Sequence, residues 1–321
     1  MSAPLRVVFM GTPDFAVPSL HALAEDPRCE VTLVVTQPDR RRGRGKQHTP
    51  PPVGAAADTL GIPRYQPESL KTDEAYARLA AETADLFVVA AYGQILRQRV
   101  LDLPRLGCVN VHASLLPRWR GAAPIQWSVA HGDGATGVSI MQMERGLDTG
   151  PVWSMRAVMV GETETAGELH DRLAPLGADL LLDTLPAIAG GVDAPVPQAN
   201  SRTTYARMLT RDDRRVDFTW PANRVAWHIN GMTPWPGVKV ACGDDGLTLS
   251  RARPSNVEVA EGTPPGAVVL ADADSGLHVA CGDGKAVEIL EMQRAGKRVM
   301  PARTCLLGMS MPDAAAFEPV V

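Results

Sequence analysis

An asparagine and a histidine two residues apart, at the end of an apolar run, are the first pair in this chain with chemistry to offer. They lie in Gly107-Cys-Val-Asn110-Val-His112-Ala-Ser114-Leu115-Leu116-Pro117-Arg-Trp-Arg120-Gly121. In an extended strand, positions 110 and 112 project to one side. Pro117 lacks a backbone donor and restricts Leu116, so regular sheet cannot continue through Ser-Leu-Leu-Pro. An amide and an imidazole on one face, at a strand mouth, can both hydrogen-bond an oxygen that gains negative charge. A purely structural reading stays open: Asn110 closes the strand end and His112 is satisfied inside the core.

Met143-Glu-Arg-Gly146-Leu-Asp148-Thr149-Gly150 follows another apolar strand and reads as a tight loop that brings Asp148 to a strand end. A carboxylate beside His112 would orient the imidazole; alternatively Asp148 closes a turn with Thr149. In Asp39-Arg40-Arg41-Arg42-Gly43-Arg44-Gly45-Lys46, five cationic side chains fall within seven positions, ahead of Pro50-Pro51-Pro52. Glycine and proline keep this loop from forming a helix, and its charge suits phosphate contact, although a solvated loop without a partner has the same composition. Thr233-Pro234-Trp235-Pro236-Gly237 reads as a rigid aromatic turn, more suited to packing than to ligand contact. Asp272-Ala-Asp274-Ser-Gly276 is only superficially like a calcium loop, because its glycine falls one position early and the distal glutamate is missing; a hairpin turn is expected.

Other chemistries lack their motifs. No G-x-G-x-x-G follows the first strand, where the sequence is Gly11-Thr-Pro13-Asp-Phe. No P-loop and no G-x-S-x-G elbow occurs, so Ser114 has no motif-level case for nucleophilic activation. Five cysteines without C-x-x-C spacing, and seven histidines without H-x-x-x-H spacing, suggest no metal site and no disulfide framework. Reduced thiols in a cytoplasmic protein are expected.

The elements that must position these residues alternate. Strands are expected at 5–10, 30–36, 85–93, 108–112 and 137–143, with helices at 16–25, 68–82, 122–131 and 165–190. Near-continuous apolar strands separated by helices imply a parallel sheet covered on both faces, an α/β doubly wound domain with ligands at the carboxyl ends of its strands. This domain is expected to span residues 1–189. An aperiodic Gly/Pro-rich stretch, 190–207, reads as a linker, and residues 208–321 as a small all-β barrel after one helix at 221–231. A length of 321 residues suits two domains. With 45% hydrophobic and 21% charged residues, the chain has the balance of a soluble globular protein. The net charge of −4 argues against general coating of nucleic acid, but not against a local basic patch. No uninterrupted apolar run is long enough to span a bilayer, and the N-terminus reads as a first strand rather than a leader.

Taken together, these segments resemble the methionyl-tRNA formyltransferase family. The likeness rests on Val7-Val-Phe-Met-Gly-Thr-Pro-Asp-Phe15, Thr36-Gln-Pro-Asp-Arg40 with Gly43-Arg44-Gly45-Lys46, Ala90-Ala-Tyr-Gly93, the run from Asn110 to Gln126, Met141-Gln-Met143, Gly146-Leu-Asp-Thr-Gly150 and Pro234-Trp-Pro236. It covers essentially the whole chain. The resemblance implies a Rossmann-like formyltransferase domain followed by an OB-like, tRNA-binding barrel. It also implies formyl transfer from 10-formyltetrahydrofolate to the α-amino group of methionine on initiator Met-tRNA, without a metal. The family's catalytic trio maps onto Asn110, His112 and Asp148, and its folate loop onto Ser114, Leu115, Leu116 and Pro117. Its tRNA-binding loop maps onto Arg40, Arg41, Arg42, Arg44 and Lys46, with Arg41 and Arg42 more basic than the family pattern. A cytoplasmic monomer without membrane contact is the family expectation. The rival readings are formyl transfer to a small amine, formyltetrahydrofolate hydrolysis, a catalytically silent tRNA-binding module and, weakest, a nicotinamide oxidoreductase.

Overall fold

Strands that are apolar along their whole length need cover on both faces, and the helices between them supply it. A computed structural model describes residues 3–42, 47–190, 194–243, 245–309, 311 and 315–319. In chain order it opens with β1 (Leu5–Gly11), α1 (Val17–Glu25), β2 (Cys29–Val35), β3 (Arg40–Arg42), β4 (Gln47–Thr49), α2 (Pro52–Leu60) and β5 (Arg64–Tyr65). There follow α3 (Asp73–Ala80), β6 (Leu86–Ala90), α4 (Gln98–Leu101), β7 (Cys108–His112), β8 (Arg120–Gly121) and α5 (Pro124–Ala130). The chain continues with β9 (Ala135–Gln142), β10 (Val152–Met159) and α6 (Ala166–Gly190). Two units form. One comprises Met1–Ala122, Gly137–Val158 and His170–Tyr205; the other comprises Ala123–Thr136, Met159–Leu169 and Ala206–Val321.

In the first unit the sheet order is β10-β9-β7-β6-β1-β2-β5. From β5 to β7 all neighbours are parallel, but β9 runs antiparallel to β7, so the expected parallel sheet is mixed at one edge. Val7 through Met10 in β1 are fully buried, as is all of β6. Such strands carry no exposed face from which an alternating pattern could be read. β10 has that alternation, with one face open to solvent. The basic stretch is not irregular throughout: β3 and β4 pair antiparallel, with Arg40 opposite Thr49. Helix α2 begins at the third of three consecutive prolines, where proline's fixed φ suits a first turn. By length and composition α6 would cross a bilayer, but half of its most apolar window is buried inside the protein. Its Gly177 lies against β7: a β-carbon there would come within 2.8 Å of Val111 Cγ1.

The second unit contains α7 (Ala222–Gly231), β12 (Val238–Cys242), β13 (Asp245–Ser255), β14 (Val268–Asp272), β15 (Gly276–Ala280) and β16 (Ala286–Arg294), after the short β11 (Tyr205–Ala206) at its entrance. β17 (Met300–Pro301), α8 (Ala302–Leu306) and β18 (Glu318–Pro319) complete it. Its strands follow the order β14-β15-β16-β13-β12-β18, each neighbouring pair antiparallel, as expected for an OB-like barrel. The final segment ties the two edges together. Ala316 bridges Ala267, Val268 N–H donates to Ala315, and Glu318 and Pro319 pair with Ala241 and Val240. Val225 and Ile229 of α7 are completely buried in the same core as Leu249, Val279 and Val287. The expected hairpin turn at Asp272 forms, its carboxylate accepting from the Asp274 and Ser275 amides.

Candidate active site

Asn110 and His112 leave β7 on one face at its carboxyl end. Asn110 sits opposite Val89 of β6 and Met141 of β9, and His112 opposite Ser139. The Asn110 side chain is half-buried, and among the described residues nothing hydrogen-bonds its amide. His112 is only 5% exposed. Its Nε2 lies 2.9 Å from the Trp119 carbonyl oxygen, so Nε2 carries the hydrogen and donates. Nδ1 is left facing the Asp148 carboxylate, 3.8 Å from Oδ2 and beyond hydrogen-bond length. The imidazole is therefore oriented by a backbone carbonyl rather than directly by Asp148, a refinement of the sequence expectation.

The carbonyl reaches His112 because the loop after β7 doubles back. Leu116-Pro117 is a cis peptide, and Trp119 adopts φ +60°, a conformation that a non-glycine residue keeps only when its surroundings hold it. Ser114 Oγ donates to Arg118 O at 2.6 Å. Beneath the loop, Ser139 Oγ is fully buried; it donates to Ser114 O at 2.6 Å and accepts from the Leu116 amide at 3.2 Å. Ser114 and Leu116 are thus buried supports, whereas Leu115 and Pro117 are half-exposed on the loop's outer side.

Asp148 arrives on the loop between β9 and β10 with φ +49°. Aspartate tolerates this left-handed conformation better than most residues. The Gly121 amide donates to Oδ2 at 2.8 Å, fixing the oxygen that faces His112. Two positions later glycine is obligatory, since a β-carbon on Gly150 would run into the Gln142 carbonyl. Leu147 beside Asp148 is 61% exposed.

Of the basic loop, Arg40 is exposed at the start of β3. Arg44 and Lys46 lie outside the described residues, as do the side chains of Arg41 and Arg42. The base of the loop is anchored: Gln66 Nε2 donates to Asp39 Oδ1 at 2.8 Å, and Arg64 pairs with the same oxygen at 3.5 Å. All five cysteines are buried and free. Burial pushes the Cys108 thiol far above its usual range, which makes it an inert neighbour of the site.

Sequence reasoning missed Trp119, Ser139, Arg120 and Gln198. Trp119 acts through its backbone, which carries no residue-type signal. Ser139 lies in an apolar strand, where a hydroxyl between Val138 and Ile140 is the visible signal. Gln198 falls in the segment expected to be a linker, which is not a free tether: Val196 pairs with Val152, and Gln198 donates to Asp148 and Gly150.

Fold and site together define a doubly wound α/β enzyme with an amide, an imidazole and a carboxylate gathered at the mouth of its sheet. Residues 5–185 match the family model described as formyl transferase, and residues 208–310 match its C-terminal domain. A methionyl-tRNA formyltransferase of Paracoccus denitrificans is 47% identical over 96% of this chain and 99% of its own length. One from Halorhodospira halophila is 48% identical over 94% of this chain and 96% of its own. The chain belongs to the methionyl-tRNA formyltransferase family. Among solved structures, HypX from Aquifex aeolicus in complex with tetrahydrofolic acid superposes with a TM-score of 0.61 at 16% identity, over 95% of this chain and 47% of that one. WlaRD, a sugar 3N-formyl transferase in the presence of dTDP and 5-N-formyl-THF, gives 0.66 at 14% identity, over 93% and 100%. At these identities the likeness is one of fold.

Proposed function

We propose that this chain formylates the α-amino group of methionine on initiator Met-tRNA, with 10-formyltetrahydrofolate as donor. The observation that carries the chemistry is the uncommitted Asn110 amide on the same strand face as a His112 whose free nitrogen looks toward Asp148. In the reaction the amine nitrogen forms a bond to the formyl carbon, the formyl oxygen takes up negative charge, and the bond from that carbon to the folate nitrogen breaks as that nitrogen takes a proton, balancing the one the amine loses. The Asn110 N–H and a protonated His112 Nδ1 stabilise the oxygen. One such donor contributes about 3–4 kcal/mol to the barrier in comparable sites. Asp148, 3.8 Å from Nδ1, receives the proton that the attacking amine must lose, directly or through one water. Trp119 O keeps Nε2 protonated throughout, so Nδ1 is the nitrogen that works.

The folate is held by the loop Ser114–Pro117, with Leu115 and Pro117 as its accessible residues and Ser114 and Leu116 as its buried frame. The folate-bound solved structures of like fold support this donor. The loop from Arg40 to Lys46 contacts tRNA phosphates, and the barrel adds local contacts. The protein works as a monomer in the cytoplasm, where translation supplies its substrate.

The decisive experiment offers purified initiator Met-tRNA, elongator Met-tRNA and glycinamide ribonucleotide in parallel with 10-formyltetrahydrofolate. Formylation of the initiator alone is expected. Transfer to the small amine would keep the chemistry and discard the tRNA acceptor, and formate release without transfer would make the enzyme a hydrolase.

A further inference from the structure

Gln198 lies between a buried cation and the loop that carries Asp148. Its Oε1 accepts from Arg120 Nε at 3.0 Å and Nη2 at 2.8 Å. Its Nε2 donates to the Asp148 carbonyl at 2.9 Å and the Gly150 carbonyl at 2.7 Å. Arg120 is 3% exposed, and its only other side-chain partner among the described residues is the Asn200 amide oxygen, at 3.0 Å. A guanidinium donates and never accepts, and a carbonyl accepts and never donates. The Gln198 amide therefore has one possible orientation, oxygen toward Arg120 and nitrogen toward the loop. Among the described residues no carboxylate pairs with that guanidinium, and its charge polarises the acceptor oxygen, which strengthens donation from the Gln198 nitrogen.

Both carbonyls it grips flank Thr149, in a turn whose Asp148 holds φ +49°. The two bonds hold the peptides that follow Asp148 and Gly150, and so pin the turn in which that left-handed residue sits. Gly121 N–H fixes the side chain of Asp148, and Gln198 fixes its backbone. We infer that Gln198, oriented by Arg120, is a positioning residue that aims the Asp148 carboxylate at His112 Nδ1. The inference rests on the proposed role of Asp148 in the transfer.

Gln198→Glu separates the two halves of the contact, since a carboxylate still accepts from Arg120 but cannot donate to the two carbonyls. Gln198→Met removes both halves at similar size. Turnover is measured with each variant alone and in an Asp148→Asn background, beside melting temperature and tetrahydrofolate titration. Gln198→Glu is expected to lower kcat about ten- to a hundredfold, as small misplacements of catalytic groups do, while melting and folate affinity stay near wild type. In the Asp148→Asn background it should add less than about a twofold further loss, because both changes remove one function. Wild-type kcat in both Gln198 variants would overturn the inference. So would an equal loss in both backgrounds, or a loss that tracks folate affinity and melting, as a scaffold residue would give. If Asp148→Asn itself turns over normally, the reading of Asp148 fails first, and that outcome is distinct from the others.

Discussion

His112 and Trp119 are joined by a bond that runs from imidazole to backbone: Nε2 donates to the Trp119 carbonyl at 2.9 Å and leaves Nδ1 toward Asp148. The two are seven positions apart, so the loop that follows β7 also decides which ring nitrogen is free. His112→Ala and Asp148→Ala are each expected to lower kcat at least about a hundredfold, measured by single-turnover formylation of initiator Met-tRNA. Near-normal turnover in either would contradict the assigned roles.

Asn110 offers a cleaner probe, because among the described residues its amide has no structural bond to lose. Asn110→Ala should leave the melting temperature unchanged and reduce kcat about a hundred- to a thousandfold, the cost of one oxyanion donor. A large drop in melting temperature would instead mark Asn110 as a strand-end residue.

Ser139 holds up the loop from below through two buried bonds, to Ser114 O and from Leu116 N. Ser139→Ala leaves a buried carbonyl and a buried amide unsatisfied, at about 1–3 kcal/mol. Lower stability with a raised folate KM is the expected pair of effects, read by thermal melting and by kinetics at saturating tRNA. A normal folate KM would separate this loop from folate binding.

Arg44→Ala should raise the KM for tRNA severalfold, most at low salt, and leave tetrahydrofolate titration untouched. Unchanged tRNA kinetics would remove the basic loop from the acceptor interface.

In the second unit, Arg251 donates to Glu168 at 2.6 Å, and Glu168 also closes a capping box with Thr165 at the start of α6. The arginine bond, foremost, holds the Glu168 carboxyl down from 4.5 to about 2. A depressed carboxylate binds fewer protons folded than unfolded, so its contribution is complete above about pH 4.5 and is lost as pH falls toward about 2. Because the side chain is 48% exposed, solvent screening limits the effect to about 0.5–1 kcal/mol. Melting curves of wild type and Glu168→Gln should differ at pH 7 and converge near pH 2. A gap that persists at pH 2 would assign the loss to packing.

Much of this protein is legible in the residue string. Buried strands announce themselves by unbroken apolar runs, and β7 is bounded in the chain where Gly107 and the approach to Pro117 bound it in sequence. The same run places Asn110 and His112 on one face by strand alternation alone. The antiparallel turn of β9 against β7 was not legible, since a strand buried on both sides has the same composition in either direction.

Tertiary structure decided everything that depends on backbone atoms or on distant segments. Trp119 orients His112 through a carbonyl that every residue type possesses. Gln198 reaches Asp148 across 50 positions from a stretch whose glycines and prolines resemble any connector. The segment 315–319 pairs both with β12 and with the residues at the start of β14, although its composition has no strand pattern. Residue types and spacing determined which groups could react. Only the folded chain determined which nitrogen and which carboxylate oxygen face each other, because those directions are set by hydrogen bonds between segments that local sequence does not relate.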